Sequence, residues 1–360
     1  MFREESRGQA ESTRQAVRYF EVGSLEAWQK VKANKGAPGV DGQSIAEFEK
    51  DLQGSLYKIW NRMSSGSYFP PPVRAVEIAK AHGAGTRMLG VPTVADRVAQ
   101  TAVAQELEAK VGPIFHPDSY GYRPRRSALD AVATCRRRCW QTNWVIDLDI
   151  ARFFDSVPWD RVVTAVEANT DLPWVVLYVK RWLHAPVQLA DGSLQVRHRG
   201  TPQGSAISPV LANLFLHYAF DVWLTREFSG VRFERYVDDA VVHCICAAQS
   251  HRVLAALVER MREVGLELHP EKTRALGQSG RARLDELLRR VLPIGAVSPP
   301  GAHQRLPDAL APQQVQTTAW TQKGAAGLGR GRRDEATVLR PLGLGNCRSR
   351  RLVTRTRRTV

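Results

Sequence analysis

The spacing of apolar residues predicts a succession of amphipathic helices through the first 274 residues. Five segments place apolar side chains three and four positions apart, which aligns them on one face of a helix. Their apolar positions are Leu25 and Trp28; Ile45, Phe48, Leu52 and Leu56; Val98, Val103, Leu107 and Val111; Ile207, Leu211, Leu214, Phe215, Tyr218 and Val222; and Val253, Leu254, Leu257, Val258 and Met261. Thr93 and Asp96 resemble a capping box at the start of the third helix, and Gly265 predicts the end of the fifth.

A two-residue period predicts a strand at residues 145–150. Val145, Asp147 and Asp149 share one face of this strand, whereas the residues between them are apolar. We therefore expect one face to be buried and the other to present carboxylates.

A second strand signal, from Val231 to Cys246, carries two further acids. Its apolar arms flank the sequence Y-V-D-D, with Asp238 and Asp239 in the middle. Two apolar runs around a short polar segment are typical of a β-hairpin. The acids are predicted to lie at the hairpin turn.

Carboxylates gathered at strand ends repel one another and take up protons unless a cation neutralises them. Mg²⁺ binds carboxylate oxygens and keeps positions open for phosphate and water. Two such ions can stabilise the attacking and leaving oxygens of a displacement at phosphorus. The pattern favours metal-assisted phosphoryl or nucleotidyl transfer; the alternative for Asp238 and Asp239 alone is a pair of solvated turn residues.

Composition limits the class of protein and its compartment. With 360 residues, 43% of them hydrophobic, the chain can bury a large core. No apolar run approaches the roughly 18 to 20 residues that a membrane-spanning helix needs, and the N-terminal segment lacks the apolar core of a secretion signal. We expect a soluble, cytoplasmic protein without a membrane partner.

The five cysteines include no C-x-x-C zinc spacing, so we expect them to be reduced.

The net charge of +15 is concentrated in the last quarter of the chain. Residues 275–360 hold 16 basic and five acidic residues, which gives them +11, and Trp320 is their only aromatic residue. Such a segment has little with which to build a core, and we expect it to be disordered. Its arginine excess is also typical of an out-of-frame reading of GC-rich DNA. A frameshift near Ala275 and a genuine arginine-rich RNA-binding tail are the two competing hypotheses.

The acidic segments belong to an ordered series of short motifs. These are KGAPGVDG at 35–42, RMLGVP at 87–92, SYGYRP at 119–124, DIARFFD at 149–155, GTPQGSAISP at 200–209, YVDD at 236–239, and GLEL with EKT at 265–268 and 271–273. In these motifs and their order the chain resembles the group II intron-type reverse transcriptases. Val237 and Ser205 depart from the family's usual Ala and Gly, and after Thr273 the family's F-x-F-L-G strand, thumb and maturase region are not found.

The resemblance implies a fold class and a domain organisation. The fold would be α+β, a right-hand polymerase with fingers and a palm, in which helices pack on an antiparallel palm sheet and the thumb is missing. The domains would be an N-terminal extension (1–23), fingers with part of the palm (24–135), the catalytic palm (136–274) and an atypical arginine-rich tail (275–360).

The resemblance also assigns roles to single residues. Asp149, Asp238 and Asp239 would be catalytic and would bind two Mg²⁺ ions. The implied nucleotide-binding residues are Lys80, Arg87, Phe154, Gln203 and Lys272, and the nucleic-acid-binding residues are Arg123, Arg125 and Arg126. For Lys80, Arg87 and the three arginines the alternative is a solvated cation, and for Phe154 it is a core position.

The implied function is RNA-directed DNA synthesis. The expected partners are an RNA template, of which intron RNA is the first candidate, a DNA primer and deoxynucleoside triphosphates. The alternatives are a truncated RNA-binding remnant with little polymerase activity and a retron-like reverse transcriptase. The oligomeric state is not predicted.

Overall fold

The computed structural model describes residues 23–79 and 86–277. All of them belong to one of the two compact units of the chain, Met1–Asp308. Lys80, most of the predicted N-terminal extension and the predicted tail beyond Gly277 lie outside the described residues. No helix in the described ranges is long and apolar enough to cross a membrane.

The first half of the described chain contains five helices and two strands. In chain order these are α1 (residues 23–33), α2 (Ile45–Lys50), α3 (Leu52–Ser64), β1 (Val73–Ala79), β2 (Thr86–Val91), α4 (Val94–Val111) and α5 (Ala128–Cys139). Strands β1 and β2 form an antiparallel pair that extends into a four-stranded mixed sheet in the order β2-β1-β4-β5.

The second half supplies the other sheet and the remaining helices. Its elements are β3 (Trp144–Asp149), α6 (Phe153–Ser156), α7 (Trp159–Glu167), α8 (Pro173–His184), β4 (Val187–Gln188), β5 (Leu194–Gln195), α9 (Ser208–Leu216), a π-helical turn (His217–Asp221), α10 (Val222–Glu227), β6 (Arg232–Tyr236), β7 (Asp239–Cys244), α11 (Ala247–Glu263) and β8 (Arg274–Gly277).

The second sheet is antiparallel throughout, with the strand order β6-β7-β3-β8. This arrangement confirms the predicted α+β class with an antiparallel sheet and packed helices. The predicted hairpin is the β6–β7 pair, and the predicted strand at 145–150 is β3. Strand β8 (Arg274–Gly277) pairs with β3, so the sheet continues three residues past residue 274, where the palm domain is predicted to end. That domain boundary stays a prediction.

The predicted alternation in β3 is present. Ile146, Leu148 and Ile150 are at most 3% exposed and belong to the main hydrophobic core. On the other face, Asp147 and Asp149 are partly accessible. The predicted end of α11 is also confirmed, because Gly265 adopts a φ of +80°, which a residue without a Cβ reaches at no steric cost.

Two predicted helices are interrupted. The segment from Ile45 to Leu56 was predicted as one helix, but Asp51 separates α2 from α3 and caps α3 by accepting a hydrogen bond from Gly54 N. A short polar side chain competes for backbone donors in this way and favours a new helix start.

The second interruption is the π-helical turn at His217–Asp221. A π-helical turn holds more residues than an α-helical turn and rotates the following face. Tyr218 and Val222, predicted to be buried, are therefore 40% and 41% exposed, whereas Phe220 and Leu224 are buried.

The predicted capping box of α4 is half formed. Thr93 accepts a hydrogen bond from Asp96 N, as expected. The Asp96 carboxylate is instead buried and accepts hydrogen bonds from Tyr68, Gln100 and Trp182. Burial outweighs these bonds and raises the pKa of Asp96 to about 6. The acid therefore connects α4 to the chain after α3 and to α8 rather than capping its own helix.

Candidate active site

Three carboxylates lie together at one edge of the antiparallel sheet. Asp149 ends β3 and is directly opposite Asp239, the first residue of β7. Asp238 lies in the two-residue turn that joins β6 to β7. Directly opposed residues in antiparallel strands have Cβ atoms about 4.5–5.5 Å apart, so Asp149 and Asp239 share one site. The register of the sheet thus brings together all three acids of the predicted metal centre.

The electrostatics of this edge favour a bound cation. Burial, followed by the charge of Asp149, raises the pKa of Asp238, and burial together with both neighbouring acids raises the pKa of Asp239. Lys272 Nζ donates to Asp149 Oδ2 at 2.9 Å, and this hydrogen bond raises the pKa of Lys272. A single ammonium group cannot neutralise three carboxylates. The donor set fits divalent metal ions, which prefer carboxylate oxygens.

The turn that carries Asp238 has an unusual backbone. Val237 adopts a φ of +61°, in the left-handed region that β-branched residues rarely enter. Its side chain is buried and packs against Gly121, where an added Cβ would lie 2.6 Å from Val237 N. The absence of a side chain at Gly121 allows this close approach. A strained residue beside a reactive group persists only where its surroundings hold it.

Arg235, the residue before Tyr236 on β6, holds the turn in place. Its side chain is 1% exposed and forms two hydrogen bonds to Asp221, Nε to Oδ1 at 2.7 Å and Nη2 to Oδ2 at 2.8 Å. Nη1 also donates to the Val237 carbonyl at 2.9 Å. A two-pronged, charge-assisted contact of this kind fixes orientation as well as distance. The strained peptide is therefore tied to the π-helical turn that contains Asp221.

Two further groups complete the network around Arg235. Asn213 Oδ1 accepts from Arg235 Nη1 at 3.1 Å, and Asn213 Nδ2 donates to the Gly121 carbonyl at 2.6 Å. Ser119 Oγ accepts from Arg235 Nη2 at 2.8 Å. The SYGYRP and YVDD motifs are thereby joined through α9. Arg235, Asp221 and Asn213 were not predicted as functional residues. The sequence signal for them is that each is a charged or amide residue in a largely apolar segment, which indicates a buried polar contact.

The turn that carries Gln203 is docked on β2. Gly90 N donates to the Gln203 carbonyl at 2.7 Å, and a Cβ at Gly204 would lie 2.6 Å from the Gly90 carbonyl oxygen. Gln100 Oε1 accepts hydrogen bonds from Ser205 Oγ and from the backbone N of Ala206. Gln203 is partly accessible. The RMLGVP and GTPQG motifs therefore form one unit, although they are more than 100 residues apart.

Arg87 and Phe154 lie near the ends of strands. Arg87 is on β2, partly buried, and its Nε has no hydrogen-bond partner among the described residues. Tyr122 interacts electrostatically with both Asp238 and Arg87. Phe154 follows β3, is partly buried, and packs edge-on against Phe153 with ring centroids 5.4 Å apart. Arg87 on β2 and Phe154 on α6 are both partly accessible.

The three predicted nucleic-acid-binding arginines differ in their surroundings. The Arg123 guanidinium donates to the carbonyls of Gly112, His116 and Ser119, which ties the end of α4 to the following loop. Arg125 is exposed. Arg126 lies over the ring of Tyr120, with its guanidinium carbon 5.5 Å from the ring centroid. Arg125 and Arg126 keep the accessible charge that a phosphate contact requires, whereas Arg123 is engaged within the protein.

A family of known proteins matches most of this region. The model of the family described as reverse transcriptase (RNA-dependent DNA polymerase) matches residues 78–308. The chain belongs to this family. The match extends beyond the predicted boundary near Ala275, and the frameshift hypothesis stays a prediction.

Individual relatives confirm the group II intron type of reverse transcriptase. The group II intron-encoded protein LtrA of Lactococcus lactis subsp. cremoris is 30% identical over 253 residues, which cover 69% of this chain and 42% of LtrA. Protein YkfC of Escherichia coli (strain K12) is 34% identical over 214 residues, which cover 57% of this chain and 55% of YkfC. The chain thus spans about half or less of these relatives.

Solved structures include chains that are similar in part. Telomerase from Candida albicans, in complex with a TWJ fragment of telomeric RNA, has a TM-score of 0.47 and 12% sequence identity. The similarity covers 66% of this chain and 47% of that chain.

The substitution Gly121→Ala is expected to displace the turn that carries Asp238. The added methyl would lie 2.5 Å from Val237 Cγ2 and 2.6 Å from Val237 N, and we expect a loss of about 1–3 kcal/mol in the free energy of unfolding. Urea unfolding of the full chain measures this. In the control Gly230→Ala the methyl would meet no atom within 4 Å. Equal losses for the two variants would contradict the proposed contact.

Arg235→Met is expected to lower the free energy of unfolding by about 3–5 kcal/mol, because it leaves the Asp221 carboxylate buried without its partner. The control is Arg226→Met, which removes an exposed ion pair with Glu227 and should cost about 0–1 kcal/mol. Denaturant titration of both variants measures the difference. If Arg235→Met were as mild as the control, Arg235 would not hold the turn.

Proposed function

We propose that this chain is an RNA-directed DNA polymerase of the group II intron type. In this reaction a primer 3′-hydroxyl attacks the α-phosphorus of a deoxynucleoside triphosphate opposite an RNA template, and pyrophosphate leaves. The observation that carries the proposal is the convergence of Asp149, Asp238 and Asp239 at one edge of the sheet, where acids without a cation destabilise one another.

The three carboxylates would hold two Mg²⁺ ions. When bound, such ions supply the Lewis acidity and positive charge that displacement at phosphorus needs. The protein contributes a pre-positioned donor set, because the β3–β7 register fixes Asp149 against Asp239 and Arg235 fixes the turn that carries Asp238. Lys272 competes for Asp149 when no metal is bound, and its ammonium group becomes available for a phosphate once Asp149 ligates a cation.

The nucleotide would lie between the carboxylates and the strand β2. Arg87, and Lys80 beyond the described residues, are proposed to bind its triphosphate, because cations there offset charge that develops during transfer. The docked turn offers the Gln203 side chain toward the nucleotide or its template base. Phe154 is proposed to lie against the sugar and to exclude a 2′-hydroxyl, which selects deoxynucleotides.

The template and primer would contact the exposed arginines near Tyr120. Arg125 and Arg126 can neutralise backbone phosphates, and an aromatic ring beside them can stack on a base. Arg123 supports this loop through its three carbonyl contacts, in addition to any phosphate contact. Intron RNA is the proposed template, consistent with the relationship to an intron-encoded protein.

Primer extension on an RNA template tests the proposal directly. The full chain, supplied with a DNA primer, deoxynucleoside triphosphates and Mg²⁺, should extend the primer. Asp238→Asn should slow extension at least about 100-fold, because losing several kcal/mol of charge stabilisation costs that much in rate. Asp160→Asn, which changes an exposed acid on α7, should retain activity. If wild type and Asp238→Asn were equally inactive while both bound RNA, the binding-remnant alternative would replace this proposal.

Phe154→Val tests the proposed sugar selection. A smaller side chain leaves space for a 2′-hydroxyl, so we expect ribonucleotide incorporation to rise at least about tenfold relative to deoxynucleotide incorporation, which corresponds to about 1.4 kcal/mol. Single-nucleotide extension with each nucleotide type measures the ratio. A lower melting temperature with an unchanged ratio would instead assign Phe154 to the core.

A further inference from the structure

A second cluster of titratable side chains lies on the same face of the antiparallel sheet, at the end away from the three catalytic acids. Glu234 on β6 and His243 on β7 face helix α5, which contributes Cys135 and Cys139 from successive turns. All four residues are buried, with exposures of 4% or less. The polymerase chemistry proposed above uses none of them.

The spacing of three of these side chains suits a single metal ion, and Cys139 lies beside them at the distance of a fourth ligand. Cys135 Sγ and Cys139 Sγ are 3.9 Å apart. Two thiolates bound to one zinc ion at about 2.3 Å would be roughly 3.8 Å apart in tetrahedral geometry. The ligand atoms of Cys135, Glu234 and His243 all lie within 4.8 Å of one another, and His243 also contacts Cys139. A single ion can therefore reach all four groups after small side-chain movements.

Neighbouring side chains already orient His243 and Glu234, the two proposed ligands that lie on strands of the sheet. Thr142 Oγ1 lies 3.3 Å from His243 Nδ1, which leaves Nε2 directed at the cluster. Arg138 donates to Glu234 Oε1 at 2.6 Å, and the other oxygen, Oε2, lies 2.6 Å from His243 Nε2. Metal-binding histidines and carboxylates characteristically hold their remote atoms in hydrogen bonds of this kind.

We propose that Cys135, Cys139, Glu234 and His243 form a structural zinc site. Zinc binding displaces the protons of the two thiols and the proton between His243 and Glu234, so one divalent cation replaces up to three protons. Two thiolates, one carboxylate and the Arg138 guanidinium then balance the ion's charge. Contact with Cys139 together with burial raises the pKa of the Cys135 thiol when no metal is bound.

The site is distinct from the catalytic centre in position and in chemistry. His243 is four residues from Asp239 along β7, which corresponds to about 13 Å in an extended strand. Thiolate and imidazole ligands select zinc over Mg²⁺, which prefers oxygen. The ion would join α5 to β6 and β7, the two strands of the hairpin whose turn carries Asp238. The C-x₃-C spacing on a helix differs from the C-x-x-C spacing of common zinc modules, and for this reason no zinc site was predicted from the cysteine spacing.

Metal analysis and cobalt titration of the full chain test this site. Excess Mg²⁺ is present so that it occupies the carboxylates of Asp149, Asp238 and Asp239. Under these conditions we expect about one zinc ion per chain in the purified protein. Replacement by Co²⁺ should produce thiolate-to-cobalt absorption. Cys135→Ser and Cys139→Ser should each lose most of this absorption. Cys244→Ser changes a buried thiol next to His243 on the opposite face of β7 and should retain it, as should Cys347→Ser.

Three results would overturn the proposal. One is wild-type protein that takes up neither zinc nor Co²⁺ with thiolate absorption. Another is absorption that survives both Cys135→Ser and Cys139→Ser, which would place the thiolate ligand elsewhere. A third is a Cys135–Cys139 disulfide in protein purified under reducing conditions, detected by thiol counting. Circular dichroism verifies that each variant is folded, and the wild-type measurements do not depend on any variant.

Discussion

The structure depends on a cross-strand pairing that places like charges together. Asp149 and Asp239 are directly opposed in β3 and β7, and Asp238 precedes Asp239 in the turn of the β6–β7 hairpin. A sheet normally avoids like charges at opposed positions because they destabilise it. Here burial, together with the charges of the neighbouring acids, raises the pKa of Asp239, and Lys272 relieves only part of this effect. We therefore expect a bound divalent cation to stabilise this edge of the sheet.

The rest of the palm holds this unfavourable arrangement in place. The turn between the strands contains a β-branched residue at positive φ, which would relax if it were free. Arg235 donates to its carbonyl from within the core and is itself held by the Asp221 carboxylate, and Asn213 extends the network to the Gly121 loop. A buried ion pair contributes little net stability but is costly to break, so it specifies one geometry. The π-helical turn at His217–Asp221 supplies Asp221 to this network.

The sequence predicted those features that depend on local periodicity. The two-residue alternation of β3 and the apolar arms of the hairpin placed acids on two strands, and the resemblance of the motifs selected Asp149, Asp238 and Asp239 among them. Other features were missed. Asp51 divides a predicted helix through a local cap, and the π-helical turn leaves Tyr218 exposed. Tertiary contacts with Tyr68 and Trp182 draw the Asp96 carboxylate away from its capping role. The hydrogen-bond partners of Arg235 could not be predicted from neighbouring residues. Except for the Val237 carbonyl, they are 14 to 116 residues away in sequence.

Cation-dependent stability tests the central claim most directly, because it needs neither template nor primer. Thermal unfolding of the full chain at neutral pH would be followed with and without Mg²⁺, for wild type and for the double variant Asp149→Asn, Asp239→Asn. Without Mg²⁺ the double variant should melt at a higher temperature than wild type, because it removes the cost of burying two neighbouring acids in one site. Addition of Mg²⁺ should raise the melting temperature of wild type and leave that of the variant nearly unchanged. A variant that melts lower without Mg²⁺, or equal Mg²⁺ shifts in the two proteins, would contradict the account.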